Sequence, residues 1–219
     1  DFSNHPNEKI TEGLDGLRER LVNYESSGAK FCKWRAVITI GKKIPTETCI
    51  RSNCNALARY ASLCQENNLV PIVEPEVLIN GEHSIQECDN VTRETLKNLF
   101  NELDLINIYY PGVILKPSMV ISGDKNSKRA DYDSVAEMTI MCLKDMCPKD
   151  LGGIAFLSGG QSNDEATNHL NIMNSGKFDL PWRVTFSYAR AIQHSALNTW
   201  SGKEENHDKA QSILAERAK

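Results

Sequence analysis

Val113-Ile114-Leu115-Lys116-Pro117-Ser118-Met119-Val120 sets a lysine at the end of an apolar, β-branched run and stops the run at once with proline. The run reads as a strand, and lysine is among the residues least often buried unpaired. In an apolar strand, desolvation disfavours the charged form of an amine. A neutral amine is a nucleophile, and the usual use of a buried nucleophilic lysine is a Schiff base with a carbonyl substrate. The plainer reading is a lysine that ends an edge strand and snorkels to water. The rest of the chain decides between them.

Working outward, helical and strand patterns alternate. Residues at about 8 to 27 read as a helix with Leu14, Leu17 and Leu21 on one face. Strands are expected at 31–40, at 69–73 (ending in Glu74-Pro75-Glu76), at the lysine run, at 153–157 and at 182–186. Helices are expected from about Thr46 to Glu66 and from Asp131 to about Cys147, where Pro148 stops the chain. Ser84-Ile85-Gln86-Glu87 and Ser162-Asn163-Asp164-Glu165 are capping boxes, opening helices to about Leu103 and Asn174. Two more helices, to about Thr199 and from about Glu205, finish the chain.

Strands alternating with helices predict βαβ units and a parallel sheet. Polar residues recur at equivalent places: Lys33, Glu74, Lys116 and Ser158 are 41, 42 and 42 residues apart, with Ser187 29 later. A barrel that gathers one site at the C-terminal ends of several strands produces this recurrence; a doubly wound sheet, with one switch point, is the alternative. Leu157-Ser158-Gly159-Gly160 and Ser187-Tyr188-Ala189-Arg190 suit a phosphate, through close backbone approach at glycine, a helix start and a guanidinium fork. A TIM (β/α)8 barrel commonly binds phosphate after its last two strands. The α/β chain therefore reads as one domain, residues 1–219, covering about strands 4–8 of such a barrel.

Composition narrows the function. At 40% hydrophobic and 25% charged the chain is globular in character. A net charge of -4 gives no reason to expect nucleic acid or an anionic membrane as partner. No apolar run is long enough to span a bilayer. The start, Asp1-Phe2-Ser3-Asn4, lacks the regions of a signal peptide and is not methionine, so a processed or partial product is expected. Seven cysteines without metal or disulfide spacing fit a reducing cytoplasm.

The candidate site follows from side-chain periodicity. Residues i and i+2 of a strand share a face, so Lys33 and Arg35 point one way, Cys32 and Trp34 the other. Two cations on an inward face need anions or a substrate to compensate them; on a solvent-facing edge they need neither. Glu74 and Glu76 share a side if the chain stays extended through Pro75. One would act as general acid/base while the other holds the lysines, unless the pair is an ordinary solvated loop. Together these parts make one mechanism. Lys116, with Lys33 as a neighbouring cation, attacks a ketone to give a carbinolamine and then an iminium. Glu74 shuttles protons. The iminium draws electrons from the adjacent carbon–carbon bond. Ser158, Gly159, Ser187 and Arg190 hold a phosphate that fixes the ketone beside Lys116. No metal or cofactor is required, and the five histidines show no ligand spacing.

A specific set of motifs runs through the chain: Gly13-Leu14-Asp15-Gly16-Leu17, Phe31-Cys32-Lys33-Trp34-Arg35, Ala58-Arg59-Tyr60-Ala61-Ser62, Val70-Pro71-Ile72-Val73-Glu74-Pro75-Glu76, Ile114-Leu115-Lys116-Pro117-Ser118-Met119-Val120, Phe156-Leu157-Ser158-Gly159-Gly160-Gln161-Ser162 and Thr185-Phe186-Ser187-Tyr188-Ala189-Arg190-Ala191. With them the chain resembles the class I fructose-1,6-bisphosphate aldolases over almost its whole length, and Arg35-Ala36-Val37-Ile38-Thr39-Ile40 looks bacterial. The resemblance implies a metal-independent lyase of glycolysis and gluconeogenesis. Such an enzyme splits fructose 1,6-bisphosphate into dihydroxyacetone phosphate and glyceraldehyde 3-phosphate, and is a cytoplasmic homo-oligomer, a tetramer. It places Lys116 on the Schiff-base lysine, Glu74 on the proton-shuttling glutamate, Glu76 on its neighbour and Lys33 on the second active-site lysine. Arg35 falls near the distal phosphate, and Ser158, Gly159, Ser187, Ala189 and Arg190 on the ketone-side phosphate site. There are departures. Pro111-Gly112 stands where the family commonly has Glu-Gly, and Ala189 where it often has glycine. The family's first three strands, with an aspartate that assists carbon–carbon cleavage, and its tyrosine-ended tail have no counterpart in these residues. The alternatives are a catalytically impaired aldolase-like binding or assembly module and a Schiff-base aldolase for another sugar phosphate.

Overall fold

The computed structural model describes residues 1–218. Five strands, β1 (Phe31–Ile38), β2 (Val70–Val77), β3 (Ile114–Leu115), β4 (Gly153–Phe156) and β5 (Val184–Phe186), form one sheet in chain order. Every neighbouring pair is parallel. A helix follows each strand: α2 (Glu47–Glu66), α3 (Ile85–Leu105), α4 (Tyr132–Met146), α5 (Asn163–Met173) and α6 (Arg190–Trp200). Helix α1 (Leu17–Ser26) precedes β1, and α7 (His207–Arg217) follows α6. A doubly wound sheet reverses its strand order at a switch point; this one never does. It is an arc of a β/α barrel, with the helices on the outside.

The packing follows from periodicity. On β1, Trp34, Ala36 and Ile38 are buried towards the helical layer while Lys33 and Arg35 alternate onto the other face. On β2, Val73, Pro75 and Val77 are buried on one face and Glu74 and Glu76 on the other. Helix α2 turns a broad face inward, with Cys49, Asn53, Leu57, Tyr60, Ala61 and Cys64 among its buried residues. Thr46, Ser84, Asp131 and Ser162 each cap a helix by accepting a backbone N–H three residues on, and both expected capping boxes form. All seven cysteines are free thiols. Burial pushes Cys49 up to about 11 and Cys64 and Cys142 to about 12, so these behave as small hydrophobes.

Several expected bounds need correction: the lysine run is strand only at Ile114–Leu115, and the strand expected at 69–73 continues through Glu74-Pro75-Glu76 to Val77. The helix expected from residue 8 begins at Leu17. Gly13 and Gly16 have φ of +131° and +63°, outside the right-handed helical region, and the residues before them are bonded elsewhere. The Glu8 carboxylate accepts from Thr46 N–H and Oγ–H at 2.7 Å each, and Asn53 Nδ2 donates to the Lys9 carbonyl. The last strand starts at Val184 rather than Trp182, whose Nε1 instead donates to the Pro148 carbonyl at 2.7 Å. Pro111 lies in the first positions of a 3₁₀ turn, Tyr110–Gly112, where a missing N–H leaves no helical bond unmade.

Candidate active site

Lys116 sits one residue beyond β3, yet its N–H still donates to the Val73 carbonyl of β2 at 2.8 Å. Pro117 has no N–H to continue the ladder, but its carbonyl accepts from Leu157 N–H, just past β4. Ser118 Oγ accepts from Val77 N–H at 3.1 Å. The lysine segment is thus stitched to both neighbouring strands. Sequence reasoning missed Ser118 as the stitch; a buried hydroxyl inside an apolar run was its one signal.

The two glutamates stay extended through Pro75, which pairs in register with Ala36. Glu74, 4% exposed, stands between the lysines: Oε1 lies 3.3 Å from Lys116 Nζ and Oε2 3.0 Å from Lys33 Nζ. Glu76 touches neither lysine; it binds Arg35 Nε. The division of labour expected between the carboxylates is therefore different. One carboxylate serves both lysines and the other holds the arginine, with its hydrogen bond raising the guanidinium pKa further. Each cation of β1 reaches the residue two places beyond its register partner, Lys33 past Ile72 to Glu74 and Arg35 past Glu74 to Glu76. Strand tilt in a closed barrel favours such a diagonal.

Opposite lies the turn after β4. Gly159 and Gly160 have φ of +52° and +88°, a conformation that favours glycine. Ser187 N–H continues the ladder to the Phe156 carbonyl, and Ala189 is the N-cap of α6. Ala189 has φ of -100°, so a Cβ fits there without backbone strain.

All ten residues singled out from the sequence, together with Leu157, line one cavity of about 470 Å³, bounded by inward-facing residues of β1 and β2 and by the segments just past β3, β4 and β5. Lys33, Arg35, Lys116 and Arg190 face Glu74 and Glu76 there, leaving an excess of positive charge. Among the described residues no group of three or more His, Cys, Asp or Glu is placed to hold a metal ion, and no helix is long and apolar enough to cross a membrane.

The class-I fructose-bisphosphate aldolase family model matches residues 1–219. The chain belongs to the class I fructose-bisphosphate aldolase family. It is 54% identical over 98% of its length to a probable class 1 fructose-bisphosphate aldolase of Xanthomonas campestris, covering 64% of that protein. It is 46% identical over 97% of its length to cytosolic fructose-bisphosphate aldolase 4 of Arabidopsis thaliana, covering 54% of it. Among solved structures, fructose-bisphosphate aldolase from Plasmodium falciparum, crystallised with TRAP and a small-molecule inhibitor, superposes with a TM-score of 0.96 at 45% identity. That likeness covers all of this chain and 63% of the other. The chain thus spans less than two thirds of the length of these relatives, and its arc is the corresponding part of the aldolase barrel.

Proposed function

We propose that the chain carries the Schiff-base machinery of a fructose 1,6-bisphosphate aldolase, in a cytoplasmic enzyme of glycolysis and gluconeogenesis. The observation that carries this reading is one buried carboxylate held between two lysines, one of them nearly buried, in a cavity with excess positive charge. A sugar bisphosphate supplies the balancing anions.

Lys116 Nζ attacks the ketone carbon, and Glu74 takes the proton that the nitrogen loses. Glu74 returns that proton to the ketone-derived oxygen, giving the carbinolamine hydroxyl, and a second proton, drawn from solvent through Glu74, lets the hydroxyl leave as water and gives the iminium. Cleavage of the neighbouring carbon–carbon bond sends its electron pair into the iminium. An enamine results, and the far fragment departs as an aldehyde as its hydroxyl proton passes to Glu74, again a carboxylate after the dehydration. Glu74 passes the proton on to the enamine carbon, and water hydrolyses the iminium so formed, releasing dihydroxyacetone phosphate and the free lysine. Lys33, 3.0 Å from Glu74, holds that carboxylate in place from the side away from Lys116. Glu76 holds Arg35 for the distal phosphate. Ser158, Gly159, Ser187, Ala189 and Arg190 hold the ketone-side phosphate, with the start of α6 adding its dipole. Residues 1–219 act as one domain, supported by a continuous hydrophobic core, and the enzyme is a homo-oligomer, a tetramer by family resemblance. Relatives named cytosolic support the location.

Borohydride reduction in the presence of dihydroxyacetone phosphate is the test. A mass increase localised to Lys116 by peptide mapping is expected. An unmodified Lys116 at saturating ketone overturns the proposal. Sedimentation velocity tests the tetramer.

A further inference from the structure

His169 takes no part in the chemistry above, yet it is a 1%-exposed imidazole on α5 with one nitrogen aimed at the site's own turn. Its Nδ1 lies 2.6 Å from Gln161 Oε1. An amide oxygen accepts, so Nδ1 carries the hydrogen; Nε2 is buried with no partner among the described residues. Tyr132 of α4 meets the ring edge-on at 4.9 Å between centroids. Burial holds the ring's pKa down to about 4, with Arg129 acting the same way and Glu165 opposing it. The imidazole is therefore neutral at neutral pH, packed in place, and offers one directed N–H.

Gln161 closes the turn that bears Ser158 and Gly159. Its backbone N–H donates to the Ser158 carbonyl at 2.9 Å across two residues of positive φ, the pattern of a type I′ turn. Two adjacent glycines give the turn wide freedom. Its near end is held by β4 and its far end by the Ser162–Glu165 capping box. The side chain of Gln161 gives it one more tie, and that tie ends on His169.

We propose that His169, acting through Gln161, is a positioning residue that holds the Ser158–Gln161 turn in the conformation that receives a phosphate group. This rests on reading that turn as part of the phosphate site. The contact fixes the turn before ligand arrives, so it acts on the affinity for phosphate and not on the imine step.

The experiment compares the chain with His169→Leu, Gln161→Met, the double variant and His169→Asn. Gln161→Met breaks the same link without disturbing the core, should His169→Leu fold poorly. Calorimetry measures affinity for inorganic phosphate. Borohydride trapping measures the half-saturating dihydroxyacetone phosphate concentration and the limiting rate of adduct formation. The two single variants are each expected to weaken phosphate and raise the half-saturating concentration about fivefold, the scale of one net hydrogen bond, with the limiting rate unchanged. The double variant should be no worse than either single, since both remove one link. His169→Asn, whose amide places a donor near the lost Nδ1, should recover most of the affinity. Wild-type affinity in both single variants, additive losses in the double, or an asparagine variant as weak as the leucine overturns the proposal. A chain that binds no phosphate overturns it too. His169-dependent phosphate binding without an adduct on Lys116 supports the anchor while removing the Schiff-base reading.

Discussion

Glu74→Gln keeps the side-chain volume and removes one charge from between two lysines. The carboxylate oxygens lie 3.3 Å from Lys116 Nζ and 3.0 Å from Lys33 Nζ. At an effective dielectric of about 20, each pair at such a separation attracts by about 5 kcal/mol. Substitution does not lose all of this. The Lys33 side chain is 42% exposed and regains water, so its share falls to the surface-pair range, below about 1 kcal/mol. The Lys116 side chain is 12% exposed and regains little. The net cost should be about 2–3 kcal/mol, short of the roughly 3–5 kcal/mol for breaking a fully buried pair. The kinetic effect is larger: a glutamine neither takes nor returns a proton, and loss of a positioned acid/base costs about 10²–10⁴-fold. At saturating dihydroxyacetone phosphate, the variant should form the reducible adduct on Lys116 at least about 100-fold more slowly. A quenched time course read by intact mass measures the rate, with a urea titration beside it. Adduct formation at the wild-type rate would remove Glu74 from proton transfer. An unchanged urea midpoint would mean that the carboxylate does not stabilise the lysine pair at all.

Other perturbations separate binding from folding. Arg190→Ala should raise the half-saturating concentration of dihydroxyacetone phosphate about tenfold in the trapping assay, the scale of one charge-assisted hydrogen bond, while leaving phosphate-free dihydroxyacetone unaffected. Gly159→Ala puts a Cβ 2.7 Å from Leu157 Cδ1 at φ of +52°. It should cost about 1–2 kcal/mol in urea stability and weaken phosphate binding. Glu8→Ala strips the buried acceptor from Thr46 N–H. It should destabilise the chain by about 1–3 kcal/mol without slowing the adduct at saturation. Burial holds His169 near 4 from an ordinary 6.5. Its stabilising effect is therefore complete above pH 6.5 and declines as pH falls to about 4, because the unfolded ring takes up a proton that the folded ring refuses. The loss is at most about 3 kcal/mol, and His169→Asn should flatten that part of the urea-midpoint profile.

The sequence made most of the fold and all ten cavity-lining candidates legible because both rest on local rules. Capping boxes at Ser84 and Ser162 are local hydrogen-bond geometry, and both form. The facing of Lys33 and Arg35, and of Glu74 and Glu76, is fixed by strand alternation once the strands are placed. What escaped was set across the chain. The 8–27 stretch carries helical spacing at Leu14, Leu17 and Leu21, but Glu8 is drawn into the cap of α2 and two positive-φ glycines break the run before Leu17. Glu76 looked like a support for the lysines until the diagonal between β1 and β2 gave it to Arg35. His169 had no ligand spacing and no motif. Its role depends on α5 folding back under the turn that precedes it, a contact that periodicity does not encode.

The same backbone contacts explain why a strand end suits a covalent catalyst. Ordering one residue costs about 1–2 kcal/mol of backbone entropy. A lysine in a free loop would bear that cost when it reacts. Lys116 has borne it on folding, since its N–H is bound to Val73, the following Pro117 carbonyl to Leu157, and Ser118 to Val77. Its side chain leaves the sheet where the ladder stops, so the amine can change from ammonium to amine to imine without breaking a backbone hydrogen bond. Ser118→Ala should therefore act on the rate, not on ketone binding. It leaves Val77 N–H without its partner in a buried setting, at a cost of about 1–3 kcal/mol in stability, and loosens the segment that aims Lys116. A slower limiting rate of adduct formation at unchanged half-saturation is the expected result. A raised half-saturating concentration with the rate intact would show that the stitch shapes the pocket for the ketone and does not aim the amine.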